Sequence, residues 1–255
     1  MMSSSPMVQA LFLKGEIHMT NRFGYSRTAA SGPESSVFVD VPDSFIQDVQ
    51  VKKVLRNTYA LLAMTLLFSA AIATAAVSFQ WKAPGLILTL VGLFGLLFAV
   101  HKLQNSAWAL PAVFALTGFM GYTLGPLLTH TLALPGGAQT VSLALGATGI
   151  TFVSLSAYAL ISKRDLSFMG GFLFCGMVIA LLGGVAAMVF EIPALGLAIS
   201  AMVALLSAGL ILFETSRIVN GGESNYVLAT VSLYVTVFNL FSSLLTLFGI
   251  GGSND

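Results

Sequence analysis

The fold class predicted by the 255-residue sequence is an all-α integral membrane protein, a bundle of seven transmembrane helices, and three observations carry it. Hydrophobic residues make up 56% and charged residues only 8%, against about 25% charged in soluble domains. Mean hydropathy is correspondingly high, +0.91. From Asn57 onward the apolar residues fall into seven segments, at 58–79, 84–101, 108–130, 138–161, 167–190, 194–218 and 225–249. Each is close to the ~20 residues that a helix needs to cross ~30 Å of hydrocarbon. Short joins rich in turn residues separate them, among them Gln80 to Pro84, Pro135 to Gly137, Lys163 to Asp165, Glu191 to Pro193, and Gly221 with Gly222.

Before the first segment, residues 1–56 hold 11 of the chain's 21 charges, six basic and five acidic, among Ser, Pro and Gly clusters without periodicity. That composition reads as a disordered soluble tail. Its apolar patch, Met7 to Leu13, is too short for a secretory leader, and no small-residue cleavage site follows it. Translation from Met1 or from Met19 fits the sequence equally. In an alternating seven-span chain Lys52, Lys53, Arg56, Lys102, Lys163, Arg164 and Arg217 fall on one side and only Lys82 on the other. The side rich in Lys and Arg is the cytoplasmic one. The expected organisation is therefore a cytoplasmic tail over 1–56, a membrane domain over 57–250, and a short C-terminus at 251–255 on the opposite side.

Small residues recur within the spans: Gly118, Gly121 and Gly125 in the third, Gly146 and Gly149 in the fourth, Gly176 and Gly183 in the fifth. Spacing of three, four or seven places them on one helix face, where they let membrane helices approach closely. Gly125 with Pro126 should kink or end the third helix. Cys175, the one cysteine, sits in an apolar run and reads as a small buried packing residue.

The candidate functional residues gather in the last two spans. Ser232, Thr236, Asn239 and Ser243 share a face of the seventh at helical spacing, and Ser200, Ser207 and Glu214 recur every seven residues along the sixth. Asn220, Gly221 and Gly222 form a helix-stop signal between them, so the two polar seams can face each other in a hairpin. Glu214 should then find its nearest polar neighbours on the last helix at Ser232 or Thr236. An acid inside a spanning helix costs about 2.5–3.5 kcal/mol at the centre and marks a functional candidate. Twenty residues separate it from Pro193, about 30 Å of helix, which sets it near the cytoplasmic edge within reach of Arg217 at i+3. Glu214 and Arg217 fit a proton-sensitive gate or a plain ion pair at the membrane edge. The seventh-helix stripe fits interhelical hydrogen bonding, about 1 kcal/mol per bond, or a hydrated pathway.

Several function classes find no support. A net charge of +1 with scattered basic residues gives no nucleic-acid surface. One cysteine and three widely separated histidines give neither a disulfide framework nor a metal site. HExxH, GxSxG, GxGD-type and Walker patterns are missing, so neither an enzyme nor a bound cofactor is expected.

VLRNTYALLAMTLLFSA at 54–70, PGLILTLVGLFGL at 84–96, FALTGFMGYTLGP at 114–126, PALGLAIS at 193–200 and FETSRIVNGGESNYVLATVSLYVTVFNLFSSLL at 213–245 resemble the Bax-inhibitor family of seven-helix membrane proteins. The likeness runs through nearly all of residues 52–250. It implies a bundle with the seventh helix central, a place in the bacterial inner membrane, which makes the side expected for the C-terminus periplasmic, and regulation of the membrane-bound AAA protease FtsH. A second activity the family implies is a pH-sensitive cation or calcium leak. Members of that kind carry an acid in the sixth helix, matched by Glu214, and a second in the seventh, where Thr236 stands here. They also carry an arginine in the second helix, whereas residues 84–100 hold no charge.

Overall fold

A computed structural model describes residues 25–28 and 39–251 of the chain. Seven helices follow one another: α1 Asp43–Ser78, α2 Leu86–Leu103, α3 Ala109–Leu132, α4 Gly137–Ser162, α5 Met169–Val189, α6 Pro193–Val219 and α7 Tyr226–Gly251. All are long and apolar enough to cross a membrane, α1 from Val49 onward. Two four-residue strands, β1 Tyr25–Thr28 and β2 Val39–Pro42, pair antiparallel with Tyr25 opposite Pro42 and Thr28 opposite Val39.

The helix limits fall within two residues of the apolar segments read from the sequence, except at the start of α1. Residues 43–56, assigned by composition to the tail, are helical. Asp43 with Ser44 is a helix-start signal. Once the apolar run beyond Asn57 has nucleated a helix, each added residue gains a backbone hydrogen bond, so polar residues are taken in as well. Residues 1–24, 29–38 and 252–255, which the tail, the start site and the C-terminus also involve, lie outside the described residues.

α7 is the axis of the bundle. It packs on α3, α4 and α6, and half of its membrane window is buried, at 50% the largest share of the seven. α1 joins it through hydrogen bonds: Thr230 Oγ1 donates to the Thr58 carbonyl at 3.3 Å, and the Tyr234 hydroxyl lies 2.6 Å from Ser69 Oγ. Around α7 the core gathers Leu62, Val113, Leu116, Ile218 and Leu233 towards one end, and Leu124, Ala144 and Leu245 towards the other. α2 packs chiefly on α3, and α5 on α6.

Lipid tails are as apolar as leucine, so helix association in a membrane depends on close packing rather than on expulsion of water. The α3 glycines provide it. A Cβ at Gly121 would stand 2.5 Å from the Ser69 carbonyl oxygen, and one at Gly125 would stand 2.6 Å from Ala76 Cβ, so α3 lies directly on α1. Gly176 and Gly183 do the same against Leu206 and Ile199 of α6.

Two sequence expectations are corrected, and of the two outcomes expected at Pro126 one is excluded. Gly146 and Gly149 have nothing within 4 Å of where a Cβ would be; α4 turns Ala144, Thr148 and Ser156 inward instead. Pro126 does not end α3, which runs on to Leu132. Hydroxyls on either side of the proline bond carbonyls of the preceding turn, Thr129 to Gly125 at 2.9 Å and Thr123 to Met120 at 2.7 Å. Cys175 is exposed, because α5 meets α6 through Leu173, Gly176 and Ala180 and leaves the thiol on the lipid side.

Gly121→Ala should therefore lower stability by about 1–3 kcal/mol, the cost of overpacking a tight contact, whereas Gly146→Ala should stay within about 0.5 kcal/mol of the parent. Thermal unfolding in detergent reads both; equal midpoints for the two variants would contradict the close α1–α3 contact.

Candidate functional site

The turn between α6 and α7 follows from its sequence. Asn220 caps α6, Gly221 adopts φ +74°, and the amides of Gly221 and Gly222 donate to the carbonyls of Ile218 at 3.2 Å and Arg217 at 2.8 Å. This is the Schellman ending, and its left-handed position is the reason for a glycine at 221. Asn225 then opens α7: its Oδ1 accepts from the Val227 amide at 2.9 Å, as an N-terminal cap does.

These residues also reach the neighbouring turns. Asn225 Nδ2 donates to Gln104 Oε1 at 3.2 Å and to Asn105 Oδ1 at 3.1 Å, in the α2–α3 turn. Ser216 Oγ donates to the Arg164 carbonyl at 2.7 Å and accepts from the Leu166 amide at 3.3 Å, and Asn220 Nδ2 donates to the same Arg164 carbonyl at 3.2 Å. Beside them Asp165 accepts from the Ser167 hydroxyl at 2.5 Å and amide at 2.9 Å; the two bonds hold its carboxyl below the usual carboxylate range. Turns α2–α3, α4–α5 and α6–α7 are thereby tied into one polar surface at one end of the bundle.

Arg217 is the hub of the charges there. Its Nη1 lies 3.3 Å from Glu214 Oε2 and its Nη2 3.2 Å from Glu223 Oε2, with the guanidinium 5.6 Å above the Phe213 ring. Glu214 is only 8% exposed. A carboxylate so buried is tolerated when a cation pairs with it, and removal of that cation leaves it uncompensated. Glu223 is fixed in turn, since its Oε1 accepts the Asn225 amide at 2.9 Å. With all three groups ionised the cluster carries a formal charge of −1, and Arg217 is the only cation bonded to the two acids among the described residues.

The predicted site residues divide. Glu214 and Arg217 do pair at i+3. Ser207, Glu214, Thr236 and Ser243 are buried, while Ser200, Ser232 and Asn239 are half-buried. The seams do not bond to each other: Ser200 donates to the Gly196 carbonyl at 2.9 Å and Thr236 to the Ser232 carbonyl at 2.8 Å, each within its own helix. Among the described residues no hydrogen bond joins Glu214 to Ser232 or Thr236. Hydroxyls at helical positions bond the preceding turn readily, and at Ser200 and Thr236 that local bond takes the place of one between the seams.

Sequence reasoning missed Glu223, Asn225, Ser216 and Tyr234. Tyr234, on the side of α7 turned to α1 and α3, also donates to the Thr117 carbonyl at 3.2 Å. A buried tyrosine hydroxyl needs a partner, so a tyrosine in the middle of a span was the available signal.

A protein-family model described as the inhibitor of apoptosis-promoting Bax1 matches residues 51–253. The chain is 51% identical over 197 residues to the modulator of FtsH protease YccA of Escherichia coli K12, covering 77% of this chain and 90% of that protein. The same values hold for the inner membrane protein YccA of Escherichia coli O6:H1. An uncharacterised protein of Pseudomonas aeruginosa is 48% identical over 206 residues, 81% of this chain and 93% of its own.

Arg217→Met strips both acids of their cation and should destabilise the fold by about 2 kcal/mol, the range of hydrogen bonds to charged groups. Adding Glu214→Gln should restore most of that, because the buried charge is then gone. Unfolding in mixed micelles measures the cycle; a double variant as weak as Arg217→Met alone would show that Glu214 does not depend on Arg217.

Proposed function

The chain belongs to the family of the inhibitor of apoptosis-promoting Bax1, and from that premise we propose that it is a multi-pass protein of the bacterial inner membrane that modulates an FtsH-type AAA protease. The observation that carries this reading is the 51% identity, over 90% of its length, to a protein named as a modulator of that protease. The geometry is in keeping with it. Three turns tied into one surface by Ser216, Asn220 and Asn225 offer a membrane-anchored protease a shaped contact that does not rearrange freely. The reading of a regulator rather than an enzyme rests on that relative's name.

In the proposed orientation this surface is cytoplasmic. Lys102, Lys163, Arg164 and Arg217 lie at that end, and Lys82 at the other. The tail over 1–56 would then be cytoplasmic and residues 251–255 periplasmic. A phosphatase reporter, active only outside the cytoplasm, should be active when fused after Asp255 and silent when fused after Arg164.

A second reading, a pH-sensitive cation or calcium leak, is favoured by one specific feature. On α6 the buried hydroxyls of Ser207 and Thr215 have no hydrogen-bond partner, and Thr215 is next to Glu214. Unpaired polar groups of this kind suit a passing hydrated ion.

One experiment separates the two. Tagged protein is recovered from native membranes and also reconstituted into liposomes with a calcium dye. Modulation predicts co-purification with the protease, weakened at least threefold by Asn225→Ala together with Ser216→Ala, and no flux. Calcium flux that rises in acid and disappears in Glu214→Gln, without protease recovery, would replace the first reading by the second.

A further inference from the structure

A cavity of about 440 Å³ lies between α1, α3, α4 and α7, walled by residues such as Ala70, Leu124, Val141 and Phe241. On α1 it extends from Thr74, four residues before the helix ends at Ser78, to Leu66, twelve before it; on α4 it extends from Val141, four residues after Gly137, to Gly149, twelve after it. Two antiparallel helices thus place it at the same level. At 1.5 Å per residue these two walls run about 6–18 Å below the helix ends, from inside one leaflet to about the midplane of a hydrocarbon layer ~30 Å thick. The walls on α1, α3 and α4 belong to the half of the bundle opposite the charged site, and on α7 the lining continues from Phe241 to Tyr234. Its rim carries Leu67 and Leu145, 73% and 56% exposed, so the cavity is continuous with the bilayer-facing surface.

The lining decides what can enter. Its polar side chains are already bonded within the protein: Tyr234 to Ser69 and to the Thr117 carbonyl, Thr148 to the Ala144 carbonyl at 2.7 Å, Thr74 to the Ala70 carbonyl at 2.8 Å. None of the buried hydroxyls without a partner lines it. An apolar cavity without free polar groups stays dry and takes hydrocarbon. Its exposed rim stands on two membrane-spanning helices, so the apolar molecule that meets it from the side is the tail of a neighbouring lipid.

We propose that this cavity is a binding site for the hydrocarbon chain of a membrane lipid, entered sideways from the leaflet on the side of the α1–α2 and α3–α4 turns. The exposed Gly149 serves the cavity rather than helix packing: a side chain there would meet nothing within 4 Å and would occupy the space that the chain fills. Gly146, one turn away and equally open, does not line it.

The test uses the full chain in lipid nanodiscs containing a phospholipid with a diazirine in mid-chain. After irradiation the labelled peptides are mapped by mass spectrometry. Label should concentrate on residues 66–74 and 141–149 in the parent and in Gly146→Phe, and fall at least fivefold in Gly149→Phe. Ala70→Phe, which fills the cavity from α1, should repeat the loss if Gly149→Phe folds poorly. Label spread evenly over α2 and α5 as well, label unchanged in folded filled variants, or cross-linking of those peptides to a second protein in place of lipid would each overturn the proposal.

Discussion

Inside the hydrocarbon of a bilayer no water is available to a polar group, so a polar side chain turned to lipid is costly and one turned to the protein can find a partner. α7 concentrates that demand. Thr230, Tyr234, Thr236 and Ser243 are all buried on it, and two of them reach other helices, Thr230 to the Thr58 carbonyl and Tyr234 to Ser69 and the Thr117 carbonyl. A helix with this pattern cannot face lipid. Once it stands at the axis, the arrangement of α1 and α3 around it is constrained by the same bonds and by the glycine stripe that lets α3 lie on the α1 backbone.

The two ends of the bundle are built differently. At one end α1 and α5 close in the same manner as α6, with Gln80 and Glu191 in the left-handed position, φ 50° and 52°. Trp81 packs edge-on against Tyr122 there, whose hydroxyl donates to the Lys82 carbonyl at 2.6 Å. Such aromatic residues suit the membrane interface. The other end joins its turns through amide and hydroxyl side chains and holds the Glu214, Arg217 and Glu223 cluster. Rigidity and charge coincide at that end, which is why the proposed regulatory contact belongs there, while the α1, α3 and α4 walls of the apolar cavity belong to the half that faces away from it.

Much of this was legible in the sequence. Seven apolar runs near 20 residues fix seven helices, because few other structures satisfy a backbone in lipid. Asn220, Gly221 and Gly222 announce the α6 ending, and i+3 spacing announces the pairing of Glu214 with Arg217. What stayed hidden depends on three-dimensional placement. Glu223 and Asn225 sit in a turn and acquire meaning only through Arg217 and through Gln104 and Asn105 of a distant turn. Cys175, Gly146 and Gly149 were misplaced for a related reason: when lipid and protein interior are equally apolar, hydrophobicity does not say which face of a helix turns inward.

The central position of α7 against α1 is tested most directly by a disulfide. The bond from the Thr230 side chain to the Thr58 backbone at 3.3 Å makes the two residues direct neighbours, and a disulfide joins neighbours whose Cα atoms are about 4.4–6.8 Å apart. With Cys175→Ala as background, Thr58→Cys with Thr230→Cys in native membranes should form an intramolecular cross-link on mild oxidation, seen as a reducible mobility shift. Two thiols that stay free under oxidation, yet react fully once the protein is denatured, would contradict the packing of α7 on α1.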